Sequence, residues 1–376
     1  MVAQRDPHQE YQRRVWRMQS RVRGLMLGLA LGDTAGAARG GLPAAGPLRA
    51  GVSTQLASFT AEGVIRAMVR GQHKGVCHPP GVVLHAYCRW AALQGIEVPR
   101  MRRRWVSLPG DRPWPDGWLA GVPALAERRG SAPATVAALS RIEDPHSRIA
   151  TPSRGCHALT RTLPVAVAGP EWAEQAGEFA ALTHGDPAAR STAVQAAVLL
   201  RHCLTAPPPD GPGDPADRLA REALEKGLAA LPSGPGPGRV PGDERERLSA
   251  AFRAGVDQPA EPARLARLAP DASAPSALLG GLYTAASFPG RDRFRAALEF
   301  AAGAPDGDSV ACVTGALLGA VHGADALPAD LVSRHELAWV IDALARDLLA
   351  QIEDSPSGSE YVRGWDPHWW DRYPGW

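Results

Sequence analysis

At 376 residues, with 45% hydrophobic side chains and a formal charge of +2, the chain can bury a substantial core and lacks the cationic excess of a nucleic-acid-binding surface. Its five cysteines are an odd set with no C-x-x-C pair, which argues against a disulfide framework or zinc ribbon and for the reducing cytoplasm. No apolar run reaches the roughly 18 residues that cross a bilayer, and Leu25–Leu31 is too short, and too soon followed by Asp33, for a leader peptide.

Ala, Leu and Val dominate, aromatics are only 6%, and no alternating strand pattern of useful length occurs, so the expected fold class is all-α. Residues 1–20 read as a polar N-terminal arm or first turn, ahead of a main domain over 21–350. From Arg21 to Gly36, glycines at 24, 28, 32 and 36 fall in one row along a helix. Such a row costs roughly 1 kcal/mol per glycine relative to alanine, which is tolerable where another helix backbone lies against it. Helices are expected over Ser53–Arg70, 81–94, Pro115–Glu127, Ala134–Ser140, Glu171–Leu182 and Ala188–Leu204. The basic run Arg100–Arg104 has no second basic cluster and reads as a solvated face. Residues 206–242 are a Pro/Gly-rich surface insertion with a short helix near Asp217–Leu231. Further helices are expected over Ser276–Ser287, Arg291–Ala302 and Ser333–Ile352. The tail 351–376 carries Trp365, Trp369, Trp370 and Trp376 between prolines; it is expected to pack back on the domain, with binding to a protein partner as the alternative.

The chemistry concentrates at Asp306-Gly307-Asp308-Ser309, at the mouth of an apolar helix whose glycines 315, 319 and 323 repeat the four-residue row. Two carboxylates and a hydroxyl in four residues are hard oxygen ligands of the kind Mg²⁺ or Ca²⁺ takes. A solvated turn with Ser309 as N-cap is the competing reading of this motif by itself.

Four motifs in order resemble the ADP-ribosylglycohydrolases, the family of the hydrolase that reactivates ADP-ribosylated nitrogenase reductase. They are Gly24-Leu-Met-Leu-Gly28-Leu-Ala-Leu-Gly32-Asp33-Thr-Ala-Gly36; Cys156-His157-Ala-Leu-Thr160-Arg161-Thr-Leu-Pro164-Val-Ala166; Thr183-His184-Gly-Asp186-Pro187; and Asp306-Gly-Asp308-Ser309 with the helix to Gly323. The resemblance implies an all-α domain with a Mg²⁺ (or Mn²⁺) centre that hydrolyses the anomeric bond between ADP-ribose and a protein side chain. The partners it implies are an ADP-ribosylated protein or ADP-ribose, with no nucleic acid and no membrane.

The chain is a divergent member by this reading. The family's first metal motif, T-D-D-[ST], falls on Gly51-Val52-Ser53-Thr54, so both aspartates are gone; a family glutamate falls on Gly40, and an Asn-Gly pair is Cys156-His157. The surviving metal set is Asp306, Asp308 and Ser309, with Thr54 offering a hydroxyl from the other half. Asp306, Asp308 and His157 are the candidate catalytic groups. His184, Cys156 and Asp33 are the candidate substrate contacts. Structural roles stand open beside each: Asp33 as a buried hydrogen-bonded group, His157 as a filler of vacated space, Glu62 as a helix residue rather than a ligand. Three functions follow: a hydrolase with a degenerate, weak or single-ion metal site, an inactive ADP-ribose-binding regulator, or a scaffold.

Overall fold

Glycine at every fourth position leaves one face of a helix bare, and two such faces can touch backbone to backbone. That contact organises the fold. The computed structural model describes residues 7–99, 114–142, 150–207, 216–232 and 242–375. The longer helices are α1 (Pro7–Ala37), α2 (Val52–Lys74), α3 (Pro79–Leu93), α4 (Ala173–Ala181), α5 (Pro187–Thr205), α6 (Ala216–Ala229), α7 (Gly242–Asp257), α8 (Ala274–Ser287), α9 (Phe294–Ala302), α10 (Gly307–His322) and α11 (Ala338–Glu353). Extended pairing among the described residues is confined to isolated bridges, so the domain is all-α. No helix among those residues is long and apolar enough to cross a membrane.

α1 and α10 run antiparallel at the centre. A Cβ on Gly24 would lie 2.2 Å from the carbonyl oxygen of Gly319, one on Gly28 2.2 Å from that of Gly315, and one on Gly32 2.0 Å from that of Ala311. Leu25 and Leu29, beside this row, are buried in the surrounding core. α2 packs between α3 and α11, α5 between α4 and α6, and α8 between α7 and α10.

Several sequence expectations need correction. Residues 7–20, read as an arm or first turn, continue α1 as one helix. Pro115–Glu127 is not a single helix: Gly117 has φ +89°, and only short turns over Trp118–Gly121 and Pro123–Ala126 form. The helix expected over Ser333–Ile352 is broken at His335, whose extended backbone pairs with Leu48. The Leu48 amide donates to the Arg334 carbonyl, and the Glu336 amide to the Leu48 carbonyl. α7 follows the Pro/Gly-rich stretch and was not anticipated. The basic run Arg100–Arg104 lies outside the described residues.

The tail returns to the body. Trp369 and Tyr373 are buried. The Trp369 indole donates to Gln351 at 2.6 Å, the Tyr373 hydroxyl donates to Asp347 at 2.6 Å, and Arg70 donates to the Gly375 carbonyl at 3.1 Å. The tail thus joins the end of α2 to α11, while Trp365 and Tyr361 stay exposed and Trp376 lies outside the described residues.

Gly28→Ala is expected to destabilise the chain by about 3 kcal/mol through overpacking, outweighing the ~1 kcal/mol that alanine gains in helix propensity. Urea denaturation checks it; an unchanged or raised midpoint contradicts the backbone contact.

Candidate active site

The α1–α10 ladder sets the site. Antiparallel pairing brings the C-terminal turns of α1 to the N-terminal end of α10: a Cβ on Gly36 would lie 2.1 Å from the Asp308 Cα. Asp33 therefore lies near Asp306 and Asp308 although more than 270 residues separate them. A cleft of about 520 Å³ opens here, and Asp33, Cys156, His157, His184, Asp306 and Asp308 all line it. Thr54 and Ser309 do not line it. They are buried behind it and hydrogen-bond to carboxylates that do.

Asp33 is 2% exposed. Its Oδ2 accepts from the Thr54 amide at 2.9 Å and the Thr54 hydroxyl at 2.6 Å. Burial pushes its carboxyl up to about 6, with the Thr54 hydrogen bonds opposing and the Asp308 charge adding to the rise. Ser309 is not the N-cap: α10 begins at Gly307, Asp306 takes the cap position, and the Ser309 hydroxyl donates to the Asp306 carboxylate and carbonyl. Burial, with the Asp308 charge beside it, also raises the Asp306 carboxyl.

Cys156 and His157 reach the cleft from a short turn fixed by neighbouring segments. The Cys156 amide donates to the Ala272 carbonyl at 2.9 Å, and the Ala274 amide to the Arg154 carbonyl at 2.9 Å. Burial, reinforced by Asp306 and Asp308, pushes the Cys156 thiol well above its usual value, so it stays protonated and serves as a hydrogen-bonding group. Its sulfur lies 3.4 Å from His157 Nδ1. Burial pulls the His157 imidazole down to about 4, and its Nε2 has no hydrogen-bond partner among the described residues. His184, buried and 2.8 Å from the Thr183 hydroxyl through Nδ1, is pulled down to about 2 by burial and by Arg161. Both histidines are thus neutral near pH 7.

Arg161 organises this wall from beneath. It donates to the Thr135 hydroxyl at 3.0 Å and the Phe179 carbonyl at 2.8 Å, and its guanidinium lies 4.4 Å from the Tyr87 ring centre. Its place in the second motif was the signal for it. Arg49, Arg129 and Ser131 also line the cleft, without any signal in the sequence beyond nearby glycines. Glu62 is no part of the cleft: it is fully buried and pairs with Arg66 at 2.7 Å and Arg89 at 2.6 Å.

The residues fit one divalent cation poorly and two not at all. No group of three His, Cys, Asp or Glu side chains suited to a metal occurs among the described residues. In the segment that the sequence resemblance aligns with a T-D-D-[ST] motif, Thr54 is bound to Asp33, and Ser53 accepts a hydrogen bond from Thr160 at 3.0 Å. A single ion would rest on Asp306, Asp308 and water.

The raised carboxyl of Asp33 makes a linked prediction. Its value rises from 3.8 to about 6 in the folded chain, so the stability it contributes is complete below the unfolded value and lost as pH rises through about 6. Asp33→Asn keeps an acceptor for Thr54 and removes that loss. Relative to wild type it should gain about 2.5 kcal/mol between about pH 4 and about pH 7.5, without added divalent cation. Urea denaturation at both pH values checks it, and an equal difference at both refutes it.

The sequence matches the ADP-ribosylglycohydrolase family over residues 16–357. No protein of curated function matches it. A solved structure titled "ADP-ribosylglycohydrolase-related protein complex" is similar in fold, at 21% identity and a TM-score of 0.56 over 90% of this chain and 99% of that one. The family match spans most of the length, and the chain belongs to the ADP-ribosylglycohydrolase family.

Proposed function

We propose that the cleft takes an ADP-ribosyl group and that the chain hydrolyses the N- or O-glycosidic bond joining it to a protein side chain, at a degenerate divalent-metal site. The convergence of Asp33, Cys156, His157, His184, Asp306 and Asp308 on one cleft carries this reading. Cleavage at the anomeric carbon develops positive charge on the ribose ring, and fixed carboxylates beside it stabilise that charge. Asp306 and Asp308 fill this role, with Ser309 and Cys156 holding Asp306 in place. Mg²⁺ or Mn²⁺, when bound at Asp306 and Asp308, would orient the ribose hydroxyls and activate water. His157 is the candidate proton acceptor: it is neutral, half-buried, and has a buried, unpartnered Nε2. His184 and Asp33 are assigned to substrate contact. The five free cysteines support a cytoplasmic setting.

One observation favours a second reading, a binding regulator without turnover. In the segment aligned with the family's T-D-D-[ST] motif, Val52 and Ser53 replace the two aspartates, and Ser53 and Thr54 form hydrogen bonds within the protein. The exposed Trp365 and Tyr361 of the tail would then offer a contact for a protein partner.

Calorimetric titration of Mn²⁺ and ADP-ribose, followed by release of ADP-ribose from a modified arginine peptide, separates the two. Asp308→Asn should lower release about 100-fold or more, with a smaller loss of ADP-ribose affinity. Binding without release by the wild type selects the regulator; absence of binding rejects both. Val52→Asp with Ser53→Asp rebuilds the missing wall, and should tighten Mn²⁺ binding about tenfold or more. Unchanged Mn²⁺ affinity would mean that Asp306 and Asp308 are not a remnant of a metal site.

A further inference from the structure

The helix break at His335 sets one carboxylate behind two walls of the cleft. Backbone pairing with Leu48 fixes the chain on both sides of His335, and Glu336 follows directly, just ahead of α11. Its Oε1 accepts from the Ala50 amide at 2.9 Å, and its Oε2 accepts from Arg129 Nη2 at 3.2 Å. Ala50 and Arg129 line the cleft from different segments, whereas Glu336 does not line it. One side chain thus ties two walls together. The segment that carries Arg129 is held from a second side. Gln55, fully buried on α2, donates to the Ala124 carbonyl at 3.1 Å and the Glu127 carbonyl at 2.8 Å, and its Oε1 accepts from the Trp90 indole at 3.2 Å. The backbone leading to Arg129 and its guanidinium are therefore both fixed before any ligand arrives. The guanidinium still has capacity: its buried Nε has no hydrogen-bond partner among the described residues.

We propose that Arg129 binds the diphosphate of the ADP-ribosyl group and that Glu336 is the residue that positions it. The inference rests on the reading of the cleft as an ADP-ribosyl site. A guanidinium held through one Nη by a carboxylate keeps its remaining donors in a fixed plane, the fork that phosphate oxygens accept. Pairing with Glu336 does not cancel this role: Arg129 stands in the wall and Glu336 behind it, so the positive end of the pair meets the ligand. Glu127 lies 3.7 Å from Arg129 but is 60% exposed and outside the cleft, a surface pair of little strength. Asp306 and Asp308 repel a diphosphate, which therefore needs a contact from another segment. With His157 and His184 neutral, Arg129 and Arg49 are the cationic side chains that line the cleft among the described residues. Of the two, Arg129 is the one held in place by the protein, while Arg49 is exposed.

The test uses the full chain, with ADP-ribose and ADP titrated calorimetrically at one fixed Mg²⁺ concentration. Arg129→Gln should weaken both ligands by a similar factor, about tenfold or more, with the melting temperature unchanged. Arg129→Lys should recover part of the loss. Glu336→Gln should weaken ADP-ribose binding about threefold or more in the wild-type background and leave it unchanged in Arg129→Gln, a non-additivity that identifies action through Arg129. Wild-type affinity for ADP-ribose in Arg129→Gln overturns the proposal and leaves the ADP-ribosyl reading standing. A loss confined to ADP-ribose, with ADP unaffected or unbound, overturns it by assigning Arg129 to the far ribose. Equal weakening by Glu336→Gln in both backgrounds overturns the positioning role and makes Glu336 a structural tie. A wild-type chain that binds no ADP-ribose rejects the reading itself, and this inference with it.

Discussion

Everything in this molecule depends on two helix backbones approaching without side chains between them. The approach is possible because α1 and α10 carry glycine in matching registers, Gly24 against Gly319 and Gly28 against Gly315. Each glycine weakens its own helix, so the pair is stable only as a pair. The contact also fixes which ends meet. The last turns of α1, with Asp33, lie against the start of α10, with Asp306 and Asp308, and no loop flexibility enters that geometry.

The electrostatics of the cleft follow from burial. Asp33 and Asp306 are pushed toward their protonated forms, and His157 and His184 toward their neutral ones. Each shift reduces the charge held in a low-dielectric region. Hydrogen bonds steady these carboxylates, with Thr54 capping Asp33, Ser309 capping Asp306, and the Cys156 thiol beside them. The Asp33–Thr54 bonds also join α1 to α2, in the region where the family pattern carries T-D-D-[ST].

Periodicity carried most of the fold in the sequence, because glycine rows and apolar spacing are local records of helix contacts. The all-α class and the central glycine-row pair were legible for that reason. Breaks were not. His335 leaves the helix because Leu48, nearly 290 residues earlier, offers backbone partners, and nothing near His335 announces it. α7 was hidden by the Pro/Gly-rich stretch before it. At the cleft, the motif residues were legible because chemistry clusters them, whereas Arg49, Arg129 and Ser131 come from connecting segments whose placement depends on the finished fold. The engagement of Thr54 with Asp33 could not be read either, since a hydroxyl in a sequence does not reveal whether its partner is a metal or a carboxylate.

The distance along the chain between the paired glycines has a consequence for biosynthesis. α1 leaves the ribosome well before its partner α10. Until the nascent polypeptide extends past Gly323, the bare face of α1 has nothing to rest on, and the core around Leu25 and Leu29 cannot close. Such long-range closure makes assembly slow and leaves apolar surface open during translation. The early portion of this protein therefore waits, half-formed and in need of shelter, for an element nearly 300 residues downstream.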